Sequence, residues 1–168
     1  RRRGADVSGD RPEEDTPALE RILGELDLLP GRWFRDGLRC ADAVARIEVP
    51  GGFGTGFLVA PDLLLTNHHV LPHEEIAESS TARFRFEADS EGNITSARQY
   101  MLAPERFFVT SPMDELDYTL VAVSPRDGES AGTTFGTIPL IGATGKNLLG
   151  LPVTSIQHPA GRPREVAV

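Results

Sequence analysis

The chain has 168 residues, of which 39% are apolar and 25% are charged, a composition typical of a folded domain with a hydrophobic core. Its net charge of -8 disfavours a nucleic-acid partner, because little positive charge is available to neutralise phosphates. No stretch approaches the roughly 20 apolar residues that span a bilayer, and no secretory signal opens the chain, so no membrane partner is expected and the compartment stays open. The single cysteine, Cys40, cannot form an internal disulfide, and no motif around it indicates a catalytic thiol.

Residues 1–40 are interpreted as a tail followed by a helical leader. Residues 1–16 are charged and rich in small polar residues, which predicts disorder. Thr16 and Pro17 suit the start of a helix that carries apolar residues at helical spacing, namely Leu19, Ile22, Leu23 and Leu26. A second helical segment is predicted at Trp33–Leu38. The leader would also serve as a linker to an upstream module.

In residues 41–123 the spacing of apolar residues changes from the helical period to the alternation typical of β-strands. Turn signals such as Pro50-Gly51-Gly52 and Pro61-Asp62 separate short apolar or alternating runs. Six strands are predicted: Val44–Val49, Phe53–Ala60, Leu63–Thr66, Arg83–Glu87, Ala97–Leu102 and Tyr118–Val123. Six short strands joined by tight turns predict a closed antiparallel barrel.

Residues 124–168 are interpreted as a linker and part of a second barrel. The segment Ser124–Gly136 is rich in Ser, Pro, Gly and charge, which indicates a connection. Three strands are predicted beyond it, at Ile138–Ile141, Val153–Gln157 and Glu165–Val168. Three strands do not close a barrel, and an apolar strand at the last residue leaves an unpaired edge, so the chain is expected to be part of a longer protein.

A histidine and an aspartate stand at two strand boundaries of the first barrel. His68 and His69 follow the apolar strand that ends at Thr66, and Asp117 precedes the apolar strand that starts at Tyr118. Histidine suits a general base because its pKa lies near neutrality, and a carboxylate suits the group that orients the ring and stabilises its charged form. Taken alone, such a histidine is usually a surface residue and such an aspartate a turn residue.

Three motifs make the combination more specific: Gly-Thr-Gly-Phe-Leu-Val at 54–59, Leu-Leu-Thr-Asn-His-His-Val at 64–70 and Leu-Asp-Tyr-Thr-Leu-Val at 116–121. From about Ala43 onward the chain resembles the chymotrypsin-like (trypsin-fold) serine proteases, in particular their bacterial glutamyl-endopeptidase-like branch. This resemblance implies an all-β fold, a chymotrypsin-like double β-barrel with the first barrel complete and the second partial, preceded by the helical leader. The stretch Ile156–Pro163 resembles the hairpin that precedes the nucleophile loop in that family.

The resemblance also implies site residues and partners. In the family an apolar residue follows the catalytic histidine, which selects His69 over His68, and the catalytic aspartate opens a strand of the form Asp-x-x-Leu-Val, which selects Asp117. The implied substrate is a protein or peptide, and no cofactor is required. Cleavage specificity does not transfer with the resemblance.

The nucleophile that should come third is missing, since no Gly-x-Ser-Gly loop occurs in the 168 residues. Four serines lack a glycine-flanked context and are interpreted as turn or strand residues: Ser111, Ser124, Ser130 and Ser155. The chain is therefore expected to be an inactive N-terminal part of a serine endopeptidase. Two alternatives stay open, a protease-fold binding module that has lost its nucleophile, and a zinc hydrolase using His69, His73 and Glu74 or Glu75.

Overall fold

The computed structural model describes residues 31–142 and 153–167, and the tail and leader helix predicted before Gly31 lie outside the described residues. The main element of this part of the chain is one antiparallel sheet. Its seven strands are β1 Val44–Val49, β2 Gly52–Ala60, β3 Leu63–Thr66, β4 Thr81–Phe84, β5 Arg98–Met101, β6 Phe108–Ser111 and β7 Tyr118–Ala122. The same residue ranges contain three α-helices: α1 Arg32–Ala43, α2 Glu74–Glu78 and α3 Ala131–Phe135.

The sheet has the strand order β5-β4-β1-β2-β3-β7-β6, and its two edge strands follow each other in the chain. A single bridge pairs Leu102, just after β5, with Val123, just after β7. The backbone N–H of Ser124 donates to the carbonyl of Met101 at 2.9 Å beside it. The end of β5 therefore meets the end of β7, whereas the two edge strands β5 and β6 are not paired with each other along the sheet. The all-β fold class is confirmed, and the predicted complete first barrel is a rolled sheet without a continuous seam of hydrogen bonds.

Strands β1 and β3 have the predicted bounds, whereas β4 ends earlier than expected. Arg85 adopts a φ of 54°, a left-handed conformation that ends the extended run predicted to reach Glu87. The hydroxyl of Thr95 then donates to the carbonyls of Arg85 and Glu87 at 3.1 and 3.2 Å. The alternation of phenylalanine and arginine indicated a strand here, and a single backbone angle shortened it.

The core lies inside the rolled sheet, where alternate strand positions point inward. Its fully buried large side chains include Ile47, Leu58, Leu64, Leu71, Phe84 and Val121. Helix α3 closes one end of this core with Phe135, whose ring stacks on that of Phe84 with centroids 4.6 Å apart. Helix α3 lies in the segment Ser124–Gly136 that was predicted to be a connection from its Ser, Pro, Gly and charge content, and its Ala-Gly-Thr-Thr-Phe sequence has weak helix propensity.

The second half contributes a small hairpin that packs on the first barrel. Strands β8 Ser155–Gln157 and β9 Glu165–Ala167 pair antiparallel, and a turn of 3₁₀-helix at Pro159–Gly161 lies between them. The predicted strand at Ile138–Ile141 is not a strand, although the backbone N–H of Ile138 donates to the carbonyl of Leu58 at 2.7 Å. Within the residues that the structure covers, no helix is both long and apolar enough to cross a membrane.

Candidate active site

His69 lies on a single turn of backbone that follows β3. The carbonyl of Asn67 accepts hydrogen bonds from the N–H groups of Val70 and Leu71, at 3.1 and 3.2 Å, and this closes the turn. The hydroxyl of Thr66, the last residue of β3, donates to the carbonyl of Thr55 on β2 at 2.8 Å. The turn therefore projects His69 from a strand end that is fixed on the sheet.

Asp117 lies directly before β7 and faces this turn. Its Oδ2 atom is 2.8 Å from Nδ1 of His69, and its Oδ1 atom accepts the backbone N–H of His69 at 3.1 Å. Because an ionised carboxylate only accepts hydrogen bonds, Nδ1 carries the proton when the ring is neutral. The lone pair of the neutral ring is then on Nε2, at the opposite edge of a side chain that is 53% exposed.

The pKa of the Asp117 carboxyl lies below its ordinary value. Partial removal from water is the largest single influence and acts upward, but the hydrogen bonds and positive potential from His69, together with the amide of Asn67, outweigh it. Asp117 is therefore ionised at neutral pH. An ionised carboxylate at this distance stabilises the protonated form of the ring when His69 accepts a proton.

Of the two adjacent histidines, only His69 contacts the carboxylate. His68 is half-buried, and its Nδ1 atom lies 2.8 Å from the hydroxyl oxygen of Thr110 on β6. That hydroxyl lies 2.7 Å from Thr119, whose own hydroxyl donates to the carbonyl of Leu71 at 2.8 Å. These hydrogen bonds fix the turn against strands β6 and β7. Thr110 was not predicted as a site residue because β6 itself was not predicted.

A cavity of about 410 Å³ lies beside the His69–Asp117 pair, between the first barrel and strand β8. The first barrel contributes Thr55, Phe57, Leu65, Thr66, Asn67, Leu116, Asp117 and Tyr118, and the second half contributes Ser155, Ile156 and Gln157. The site is therefore built where the two halves of the described chain meet.

The hairpin of the second half is held against the first barrel by long-range hydrogen bonds. The backbone N–H of His158 donates to the hydroxyl of Thr55 at 2.9 Å, and Arg46 donates through Nη1 to the carbonyl of Gly161 at 2.7 Å. Arg164 adds an ion pair with Glu87 on the same side. The carbonyl of Thr55 also accepts the hydrogen bond from the hydroxyl of Thr66, so Thr55 links the hairpin to the strand that precedes His69.

His158 is buried and does not reach the His69–Asp117 pair. Its Nδ1 atom donates to the carbonyl of Arg162 at 3.1 Å, and its Nε2 atom has no hydrogen-bond partner among the described residues. Burial lowers the pKa of His158, and the charges of Arg164 and Arg46 act in the same direction. The ring is neutral at neutral pH, and His158 helps to hold the hairpin on the first barrel.

Among the described residues, none of the four serines interpreted as turn or strand residues, Ser111, Ser124, Ser130 and Ser155, is hydrogen-bonded to the ring of His69. Ser111 on β6 donates to Glu115 at 3.0 Å, Ser130 precedes α3, and Ser155 lines the cavity from β8. Within residues 31–142 and 153–167, the side-chain hydrogen bond of His69 is made to Asp117 alone.

The residues suggested for zinc do not share a helix face. The α2 helix begins at Glu74, with His73 as an extended N-cap residue, so His69 and His73 are not on consecutive turns of one helix. In the described ranges, no group of three or more His, Cys, Asp or Glu side chains is positioned to hold a metal ion. The geometric premise of the zinc alternative is therefore wrong.

Comparisons with known proteins show the family of this chain. The family model for the trypsin-like peptidase domain matches residues 54–168. The chain is similar to "Uncharacterized protein y4fB" from Sinorhizobium fredii, with 39% identity over 162 residues; this covers 92% of the chain but only 24% of that protein. The chain thus spans about a quarter of the length of the curated relative it matches.

Among solved structures, the chain is similar to that of a Glu endopeptidase in complex with MPD. The identity is 19%, the TM-score is 0.38, and the alignment covers 58% of this chain and 44% of that one. The family match extends over most of the described residues and includes His69, Asp117 and the second-half hairpin. The chain belongs to the trypsin-like peptidase domain family.

Proposed function

We propose that this chain is part of the catalytic domain of a serine endopeptidase, in which His69 is the general base and Asp117 orients it. The contact that carries the proposal is the 2.8 Å hydrogen bond between His69 Nδ1 and Asp117 Oδ2, made by residues 48 positions apart in the chain. It leaves Nε2 free to take a proton, which is the arrangement that activates a serine hydroxyl.

In the proposed reaction, Nε2 of His69 accepts the proton of a serine hydroxyl as the oxygen attacks the peptide carbonyl. The ring then returns that proton to the leaving amine, and Asp117 stabilises the charged ring in between. The reacting serine is assigned to polypeptide outside these 168 residues, which contain no Gly-x-Ser-Gly loop. The substrate is a protein or peptide, and the chemistry requires no cofactor.

The test uses the full-length protein that contains this chain and a fluorophosphonate probe that labels activated serines. We expect one serine to be labelled, and mass spectrometry of the labelled peptide identifies it. His69→Ala should slow labelling by a factor of about 10² to 10⁴, the usual contribution of a general base. Asp117→Asn should cause a loss of similar or larger size, about 10⁴, since it removes the carboxylate that fixes the ring.

His73→Ala is the matched control, because His73 is an exposed histidine on the same segment that makes no contact with Asp117 in the described structure. It should label at the wild-type rate. A folded full-length protein in which no serine reacts would overturn the proposal and favour a binding module. Stoichiometric zinc that is lost in the His73→Ala variant would overturn it in favour of a metal site.

A further inference from the structure

Asp117 occupies a strained position that packing does little to support. Its φ of 47° is a left-handed conformation, which costs about 1–3 kcal/mol for a residue other than glycine unless its surroundings fix it. The loop before it is exposed, with Met113 at 67% and Leu116 at 75% exposure. Hydrogen bonds, rather than buried apolar contacts, must therefore hold the carboxylate where it meets the ring of His69.

Asn67 supplies two of these hydrogen bonds. Its Nδ2 atom lies 3.1 Å from the backbone carbonyl of Asp117 and 3.2 Å from Oδ2 of the same residue. An amide nitrogen has two protons, so it can donate to both oxygens at once. Since both partners only accept, the amide group must present its nitrogen to them. A single side chain thereby fixes the main chain and the carboxylate of Asp117 relative to each other.

Asn67 is itself fixed by the turn that carries His69. Its backbone carbonyl accepts the N–H groups of Val70 and Leu71, and it directly follows the end of β3. The remaining anchors of Asp117 are its own N–H, which donates to the carbonyl of Pro112 at 3.0 Å, and the two hydrogen bonds from His69. Asn67 thus links the turn to both the backbone carbonyl and the carboxylate of Asp117, whereas His69 contacts the carboxylate alone.

We propose that Asn67 is a positioning residue, which holds the strained Asp117 so that its carboxylate stays on Nδ1 of His69. The consequence for catalysis rests on the proposed function, but the positioning itself is a property of this chain and is measurable without a nucleophile. Asn67 contacts no reacting atom in this role, and it acts through Asp117.

The test is NMR of the 168-residue chain, in which two signals report on the geometry. One is the low-field proton of His69 Nδ1–H, and the other is the pH titration of the Asp117 carboxyl carbon. In Asn67→Ala we expect the Nδ1 proton to exchange with water about five- to tenfold faster, because one charge-assisted hydrogen bond that holds the carboxylate is lost. The pKa of Asp117 should rise toward its ordinary value in the same variant.

Asn67→Ser provides a second variant in case the alanine variant does not fold. Serine suits a strand-to-turn junction but is too short to carry an amide to Asp117, so both signals should change as in Asn67→Ala. Asn93→Ala is the matched control, since Asn93 is an exposed asparagine whose amide contacts Asp89 in a turn of its own. Neither signal should change there.

Wild-type signals in a folded Asn67→Ala or Asn67→Ser variant would overturn the inference, as would an equal change in Asn93→Ala. This result is separate from the proposed function. Failure to label a serine in the full-length protein would reject the protease assignment and leave the NMR result unchanged. Wild-type NMR signals in the Asn67 variants would reject the positioning role and leave the protease assignment unchanged.

Discussion

Gly54 on β2 faces the side chain of Val70, the residue that follows His69. A Cβ atom added at Gly54 would lie 2.6 Å from Cγ2 of Val70, where carbon atoms normally stay about 3.5–4.0 Å apart. Val70 is β-branched and has a single stiff side-chain torsion, and its backbone N–H is held by the carbonyl of Asn67. The strain of Gly54→Ala must therefore move the turn that carries His69.

Overpacking of this kind costs about 1–3 kcal/mol in the free energy of unfolding. With a slope of about 1–3 kcal/mol per molar urea, the midpoint of unfolding should fall by roughly 1 M. Urea unfolding of the 168-residue chain followed by circular dichroism measures this change. Gly52→Ala is the matched control on the same strand, because its Cβ would meet nothing closer than Val49 Cγ2 at 3.7 Å.

Val70→Ala should relieve the strain, since it removes the two methyl groups that the new Cβ would meet. The cost of Gly54→Ala should therefore be smaller in a Val70→Ala background, with a coupling energy of about 0.5–3 kcal/mol. Equal stability of Gly54→Ala and Gly52→Ala, or an equal cost of Gly54→Ala in both backgrounds, would refute the packing argument.

Three further predictions concern residues away from the proposed reaction. The pKa of His158 is lowered in the folded chain, so between the ordinary histidine pKa of 6.5 and the lower folded pKa the unfolded chain binds a proton that the folded chain does not. The free energy of unfolding is therefore unaffected by this group above pH 6.5 and decreases as the pH falls toward the folded pKa. His158→Gln should flatten this dependence in urea unfolding at a series of pH values, and an unchanged slope would contradict the assignment. Thr119→Val removes the donor to the buried carbonyl of Leu71 and should cost about 1–3 kcal/mol, measured by urea unfolding, whereas a neutral effect would mean that this hydrogen bond contributes nothing. Gly161→Ala forces a side chain onto a φ of 72° and should cost about 1–3 kcal/mol in the same assay; wild-type stability would show that the turn adapts freely.

Local sequence patterns predicted much of the first barrel. Strands β1 and β3 have the expected bounds, because an apolar or alternating run next to a proline-containing turn, after β1 and before β3, specifies an extended segment within a few residues. Strand β6 and helix α3 were not predicted, because neither has such a local pattern. Each depends on burial against distant partners, such as Phe84 beneath α3, rather than on a periodic pattern of its own.

The sequence by itself determined the residue types at two strand boundaries, a histidine after β3 and an aspartate before β7. The family resemblance selected His69 over His68, but the contact of His69 with Asp117 is decided by the tertiary structure, because it depends on how the turn after β3 faces β7 across 48 residues. The tertiary structure also placed the amide of Asn67 on a left-handed Asp117. Hydrogen bonds between segments far apart in the chain follow from the register of the rolled sheet, which no local pattern encodes.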